Sequence, residues 1–241
     1  MKVIIPMAGR GERFANSGYT VPKPFIDVRG KPMVQLAVEN LNMNCPHIFI
    51  MQEEHFQTYK KVMYSFMPKG SEIVRINEIT NGPVCTCLMA EEYINNDETL
   101  VYANCDQFLK DWGILEYDAN RYLDECHDTD GGLLVTRDRN TWGSFATLDS
   151  SGYVKLAKEK IMLDNTDISS TGIYLWSKGS DFVKYAKQMI ANNRYAPNGE
   201  FYAIDVYNEG IKDGKKYIVS FIKKWWRLGV PEDLEVYLRE T

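Results

Sequence analysis

The sequence has 241 residues, of which 44% are apolar and 25% charged; that is enough chain for a large core, and the composition excludes disorder, collagen-like repeats and coiled coil. A net charge of -5 argues against a protein whose main task is gripping nucleic-acid phosphates, because such domains carry a basic excess. A local cationic pocket is compatible with that balance.

In chain order, Val3-Ile4-Ile5 predicts a first strand, followed by a Gly-rich turn and a loop. Pro32 to Asn42 predicts a helix opened by proline, with Met33, Leu36, Ala37 and Leu41 on one face. His47 to Met51 reads as a second buried strand. Glu53 to Met67 repeats the helical pattern, with Phe56, Tyr59, Met63 and Phe66 at helical spacing and two glutamates at the positive end of the dipole. Ile73 to Ile76 is the next strand, Val84 to Ile94 a third helix, and Thr99 to Ala103 a strand running into Asn104-Cys105-Asp106. This alternation is the signature of βαβ units around a mostly parallel sheet.

From Gly131 the grain changes to strands separated by turns: Gly132 to Thr136, Ser144 to Leu148 and Tyr153 to Ala157. They predict a small antiparallel insertion or sheet extension. Helices return at Phe182 to Asn193 and Tyr202 to Lys212, a late strand at Lys216 to Ile222, and a closing helix at Pro231 to Arg239. With no repeat, low-complexity tract or linker, residues 1–241 read as a single α/β domain.

The opening Met1-Lys2-Val3-Ile4-Ile5-Pro6 is too short for the apolar part of a signal peptide. No later run approaches the roughly 20 apolar residues that span a bilayer. Five cysteines without a C-x-x-C pair read as reduced thiols of a cytoplasmic protein. Three scattered histidines make a histidine-built metal site improbable, so any metal is expected to be a hard, oxygen-bound ion.

Three stretches could carry chemistry. Met7-Ala8-Gly9-Arg10-Gly11-Glu12-Arg13 follows the first strand, where backbone N–H groups can form an anion-binding concavity and Arg13 adds a fork for phosphate oxygens. The P-loop and dinucleotide spacings are both absent, so phosphate binding and a plain turn stand as even alternatives. In Val21-Pro22-Lys23-Pro24-Phe25 two prolines stiffen the segment that presents an ammonium, the alternative being an exposed lysine in a polyproline-like loop. Asp106, at the end of an apolar strand, can hold Mg²⁺ against phosphate oxygens or simply cap a helix.

The combination is more specific than its parts. Ala8-Gly9-x-Gly11-x-Arg13, then Pro22-Lys23-Pro24 ten positions after the arginine, then Gly30-Lys31-Pro32-Met33, resembles the N-terminal signature of the sugar-phosphate nucleotidyltransferases. Asn81-Gly82-Pro83 with the following helix is similar to the family's base-contacting loop, and Leu100 to Asp106 to its metal-binding strand. Val154 to Lys160 resembles the strand leading to the Glu-Lys pair near the sugar phosphate. Thr171-Gly172-Ile173-Tyr174, Glu200-Phe201-Tyr202 with Asp205, and Leu228-Gly229-Val230-Pro231-Glu232-Asp233-Leu234 match later motifs.

The resemblance implies a three-layer Rossmann-like fold of the nucleotide-diphospho-sugar transferase type, and transfer from a nucleoside triphosphate to a sugar 1-phosphate with release of pyrophosphate, giving a nucleotide sugar for surface polysaccharide. It implies catalytic roles for Arg13 and Lys23, and nucleotide contacts from Met7, Ala8, Gly9, Arg10, Gly11, Glu12, Asn81 and Gly82. Acceptor contacts fall on Asn104, Glu159, Lys160 and Gly172, and Mg²⁺ on Asp106. The chain as given has no counterpart of the β-helix extension of bifunctional relatives. Neither nucleic acid nor membrane is expected as a partner, and homo-oligomerisation is left open.

Two departures qualify the match. Arg10 stands where another glycine is common, and Arg227 where many members carry a second metal-binding aspartate. The ion would then be held by Asp106 with phosphates, or another carboxylate would substitute. Arg227 would meet the acceptor's phosphate or form a surface ion pair. The alternative readings are a cytidylyltransferase for a non-sugar phosphomonoester, such as phosphocholine or an amino-acid phosphate, and a non-catalytic nucleotide-binding subunit.

Overall fold

The computed structural model describes residues 1–110, 119–137, 143–161 and 168–241. The apolar run at the N-terminus forms β1 (Lys2–Pro6), followed by a short helix α1 (Glu12–Asn16), a 3-10 turn at Lys23–Phe25, and a small ribbon of β2 (Asp27–Val28) and β3 (Lys31–Pro32). Next come α2 (Met33–Leu41), β4 (His47–Gln52), α3 (Glu53–Phe66) and β5 (Glu72–Ile76), the expected βαβ units. β1, β4 and β5 lie side by side and parallel.

Where the sequence predicts one helix from Val84 to Ile94 there are two, α4 (Pro83–Leu88) and α5 (Glu91–Ile94). The break arises because Met89 and Ala90 donate to carbonyls three residues back, Thr86 (3.1 Å) and Cys87 (3.0 Å), which tightens the last turn and closes the helix. Then follow β6 (Leu100–Ala103), β7 (Gln107–Leu109), α6 (Ala119–Cys126), β8 (Gly131–Thr136), β9 (Ser144–Leu148), β10 (Val154–Glu159) and β11 (Ile168–Trp176). The chain continues through α7 (Gly179–Ala191), α8 (Ala203–Lys212), β12 (Tyr217–Ile222), β13 (Trp225–Arg227) and α9 (Pro231–Glu240).

Nine strands make one sheet, with the order β10-β9-β11-β6-β1-β4-β5 and with β8 and β12 branching from β11. β6 returns to the other side of β1 and runs parallel to it. The order therefore reverses between β4 and β6, and the carboxyl ends of β1 and β6 flank a topological switch point, where open α/β sheets bind ligands. β11 is antiparallel to β6, β8 and β9. The predicted antiparallel strands thus join the main sheet as its extension.

Alternation along each strand sends side chains to opposite faces. Ile4, Ile48, Ile50, Tyr102, Leu133 and Trp176 pack under α4, α5, α7 and α8. Val3, Ile5, Phe49, Val101, Leu134 and Leu175 pack under α2, α3 and α6. A third cluster joins distant parts of the chain: Phe14, Ile26, Val28 and Met33 from the N-terminal segments meet Trp226, Leu228, Leu234 and Tyr237. No helix among the described residues is long and apolar enough to cross a membrane.

Candidate active site at the switch point

The register Ile4↔Tyr102 carries the chain after β1 and the chain after β6 to the same edge of the sheet. Met7 and Ala8 are buried there, the Met7 amide donates to Ile50 O (2.9 Å), and the Ala8 carbonyl accepts from Gln52 Nε2 (2.9 Å). Gly9, Arg10, Glu12 and Arg13 are exposed. Arg10 pairs with Glu12 at 3.3 Å. Gly11 turns the chain into α1 with φ 64°, and a Cβ built on it would lie 3.1 Å from the Lys23 Cβ.

Lys23 is not the exposed lysine of an extended loop. Pro22 is extended, but Lys23–Phe25 closes a 3-10 turn, with the Phe25 amide donating to Pro22 O (2.8 Å). The turn aims Lys23 inward, where Nζ donates to Asp106 Oδ2 at 2.7 Å. The two side chains keep only 23% and 19% of their exposure. Burial pulls the ammonium's pKa down, but Asp106 beside it outweighs burial and leaves Lys23 above its ordinary value. Arg13 is close enough for its charge to act against Lys23.

Asp106 is held by its backbone as well. The Leu228 amide donates to Asp106 O (2.8 Å), and a Cβ on Gly229 would come within 2.7 Å of Oδ2, so a side chain there would displace the carboxylate. Arg227 forks Asp233 at the start of α9 (Nε–Oδ2 3.2 Å, Nη2–Oδ1 3.3 Å), the ion-pair alternative of the two that the sequence offered. Among the described residues no group of three or more His, Cys, Asp or Glu could cage a metal. The donor set fits an ion held by one carboxylate and completed by substrate phosphates, the usual mode of Mg²⁺.

Asn104 Oδ1 accepts from the Tyr102 hydroxyl (2.8 Å). Its Nδ2 lies 2.1 Å from where a Cβ on Gly172 would sit, and Gln107 Oε1 3.1 Å from it. Gly172, at φ 83° in the bulge of β11, thus lets two amides close over the strand. Gln107 is buried and its Oε1 has no partner among the described residues. Sequence reasoning passed over it, because nothing in Asp-Gln-Phe-Leu distinguishes it from a strand residue.

Glu159, at the end of β10, is buried and accepts from Ser144 Oγ. Burial pushes its carboxyl up to about 7 against the opposing pull of that hydrogen bond and of Lys160, with Asp205 and Glu200 adding to the rise. Lys160 follows in the left-handed region at φ 59°, its Nζ 2.8 Å from the Tyr202 hydroxyl. The Tyr102 and Tyr174 rings, 5.4 Å apart, bridge the two groups, since Tyr174 also feels the Glu159 charge.

Asn81 and Gly82 are tied to this second group through Phe201. The Phe201 amide donates to Asn81 O (3.2 Å) and its carbonyl accepts from Val84 N (3.1 Å). Gly82 has φ 96°, and a Cβ there would fall 2.6 Å from the Phe201 amide nitrogen. The site residues named from sequence therefore gather in two groups: Gly11, Arg13, Lys23 and Asp106 in one, Gly82, Glu159 and Lys160 in the other, with Asn104 and Gly172 between. Glu200, Phe201 and Tyr202 were quoted in a motif without a role, and only the fold gives them one.

Residues 3–160 match the MobA-like NTP transferase domain. The chain belongs to that family, a nucleotidyltransferase class. The bifunctional protein GlmU of Methanocaldococcus jannaschii is 23% identical over 241 residues, covering 97% of this chain and 52% of the relative, so the chain spans about half of that protein. The crystal structure of a nucleoside-diphosphate-sugar pyrophosphorylase from Vibrio cholerae RC9 superposes with a TM-score of 0.84 at 22% identity, covering 99% of this chain and 100% of the other. The inositol-1-phosphate CTP transferase from T. maritima has a TM-score of 0.72 at 14% identity, covering 99% and 96%. The family's fold is thus the mixed, mostly parallel sheet described above.

Proposed function

We propose that this chain is a nucleotidyltransferase that joins a nucleoside triphosphate to a sugar 1-phosphate. The observation that carries this reading is the Lys23–Asp106 contact of 2.7 Å beside the glycine turn, at the switch point of a MobA-like NTP transferase domain. A phosphate oxygen of the acceptor attacks the α-phosphorus, the bond from that phosphorus to the bridging oxygen breaks, and pyrophosphate leaves with the electron pair. Phosphate oxygens are already nucleophilic, so the protein's part is positioning and charge stabilisation.

In this reading Arg13 meets the departing pyrophosphate, Lys23 the α-phosphate and attacking oxygen, and Lys160 the acceptor's phosphate. The turn from Met7 to Glu12 lies along the triphosphate, and Asn81 and Gly82 meet the base. Asn104, Glu159 and Gly172 meet the acceptor. Mg²⁺ held by Asp106 would neutralise phosphate charge. One domain over residues 1–241 belongs to the same proposal, supported by the continuous nine-stranded sheet. A cytoplasmic location is supported by five cysteines that are all unpaired.

A second reading, a cytidylyltransferase for a non-sugar phosphomonoester, has the likeness to the T. maritima CTP transferase in its favour. The test is pyrophosphate release with each of the NTPs and Mg²⁺, against separate panels of sugar 1-phosphates, inositol phosphate, phosphocholine and amino-acid phosphates. Release with sugar 1-phosphates supports the first reading, and release confined to CTP with the other panel supports the second. Silence in every combination would leave a nucleotide-binding subunit without turnover.

A further inference from the structure

We propose that Tyr202 is a positioning residue whose hydroxyl holds the Lys160 ammonium in place for the acceptor's phosphate; what Lys160 grips rests on the function proposed above. Lys160 is exposed and sits on a left-handed turn. A lysine in that setting ordinarily samples many rotamers, and an incoming anion would have to freeze them. Here Nζ is 2.8 Å from the Tyr202 hydroxyl and 4.8 Å from the centre of its ring.

The hydroxyl has one proton and two lone pairs, and every one of them is used. Its proton goes to Glu200 Oε2, and it accepts from Lys160 Nζ and from Asn198 Nδ2 (3.0 Å). Asn198 Nδ2 also reaches Glu200 Oε2 (2.7 Å), which closes the arrangement. Its backbone is fixed in turn. Ala196 N donates to Glu200 O (2.9 Å), Phe201 is stitched to Asn81 and Val84, and Tyr202 is the N-cap residue of α8, its carbonyl accepting from Asp205 N (3.2 Å). The oxygen is thus an immobile acceptor for a mobile cation, and its loop is the one that braces the Asn81–Gly82 turn. Pre-ordering of this kind lowers the cost of binding an anion without touching it.

The variant is Tyr202→Phe, which keeps the ring and removes the oxygen. In steady-state kinetics with the nucleotide and the acceptor phosphate that give most pyrophosphate in the screen above, the acceptor KM should rise roughly tenfold, the range for losing a hydrogen bond to a charged group. The nucleotide KM and the melting temperature should stay unchanged, and Lys160→Met/Tyr202→Phe should be no worse than Lys160→Met alone. A parallel rise in both KM values would overturn the proposal in favour of a structural role, as would no rise at all. A readout free of turnover is NMR of ¹³C-methylated lysines, the Lys160 signal being assigned by its loss in Lys160→Arg. That signal should shift in Tyr202→Phe, and an identical position in both proteins would overturn the held ammonium. If the wild type releases no pyrophosphate with any pair, the proposed function fails while the NMR comparison still decides the latch.

Discussion

Lys23 and Asp106 hold each other at 2.7 Å in a position that neither would choose alone, because a largely covered ammonium and a largely covered carboxylate each need the other's charge. On the proposed function, removing the ammonium takes away the charge that meets a developing phosphate anion. Lys23→Ala should therefore lower kcat about a hundredfold or more while leaving the far-ultraviolet circular dichroism unchanged. Near-normal turnover would place the catalytic cation elsewhere. Glu159 makes a different demand. Its carboxyl, pushed up to about 7 mainly by burial, keeps a proton that the unfolded chain releases near pH 4.3. Stability from this group is complete below the unfolded value and is lost as pH rises through the folded one, by roughly 3 kcal/mol in all. Asp205, raised to about 6 by burial, slopes the same way. Urea midpoints should fall between pH 4.5 and 7.5, and Glu159→Gln should flatten part of that fall; an identical slope in the variant would remove Glu159 as its source.

Among the elements, those with a local cause were legible in the sequence. β1, β4 and β6 are apolar runs buried on both faces, and α2, α3 and α7 show one apolar side at helical spacing. The ribbon of β7 and β13 was not, since Gln107-Phe108-Leu109 and Trp225-Trp226-Arg227 have three residues each and find one another only through the folded core. The inward turn at Lys23 was also missed, because the two prolines favour extended backbone and closure of the 3-10 turn overrides that preference. Glycines separate the roles of turn and site. Gly82→Ala would force a Cβ to 2.6 Å from a backbone nitrogen at φ 96°, and should destabilise by about 2–4 kcal/mol in chemical denaturation. At Gly9 a Cβ meets nothing within 4 Å. Gly9→Ala should therefore leave stability within about 0.5 kcal/mol and still raise the KM for the nucleotide if phosphates run along that turn; unchanged kinetics would count against the turn as a phosphate site.

Over the whole molecule, the site is assembled from segments that lie far apart in the chain, which is why its cations could be named from a motif but its geometry could not. Arg13 and Lys23 stood out by the order and spacing of a family-like motif, and Asp106 by its place at the end of an apolar strand. Tyr202, Glu200 and Gln107 acquire meaning only when the sheet brings them beside Lys160 and Gly172. The small third cluster couples these regions mechanically, with Phe14 and Ile26 on one side and Leu234 and Tyr237 of α9 on the other. Leu234→Ala should cost about 2–5 kcal/mol locally. Hydrogen exchange should speed up at Phe14, Ile26 and Val28 and stay slow at Ile4 and Tyr102; uniform acceleration would mean that the cluster is not a separate unit.

That cluster also sets an order of events during synthesis. Chains emerge N-terminus first, so the residues of β1, the glycine turn and Lys23 leave the ribosome long before α9 exists to pack against Phe14. A nascent chain can carry every cation of the candidate site and still lack the support that fixes it. The contact of Phe14 and Ile26 with Leu234 and Tyr237 therefore waits until α9 has been made.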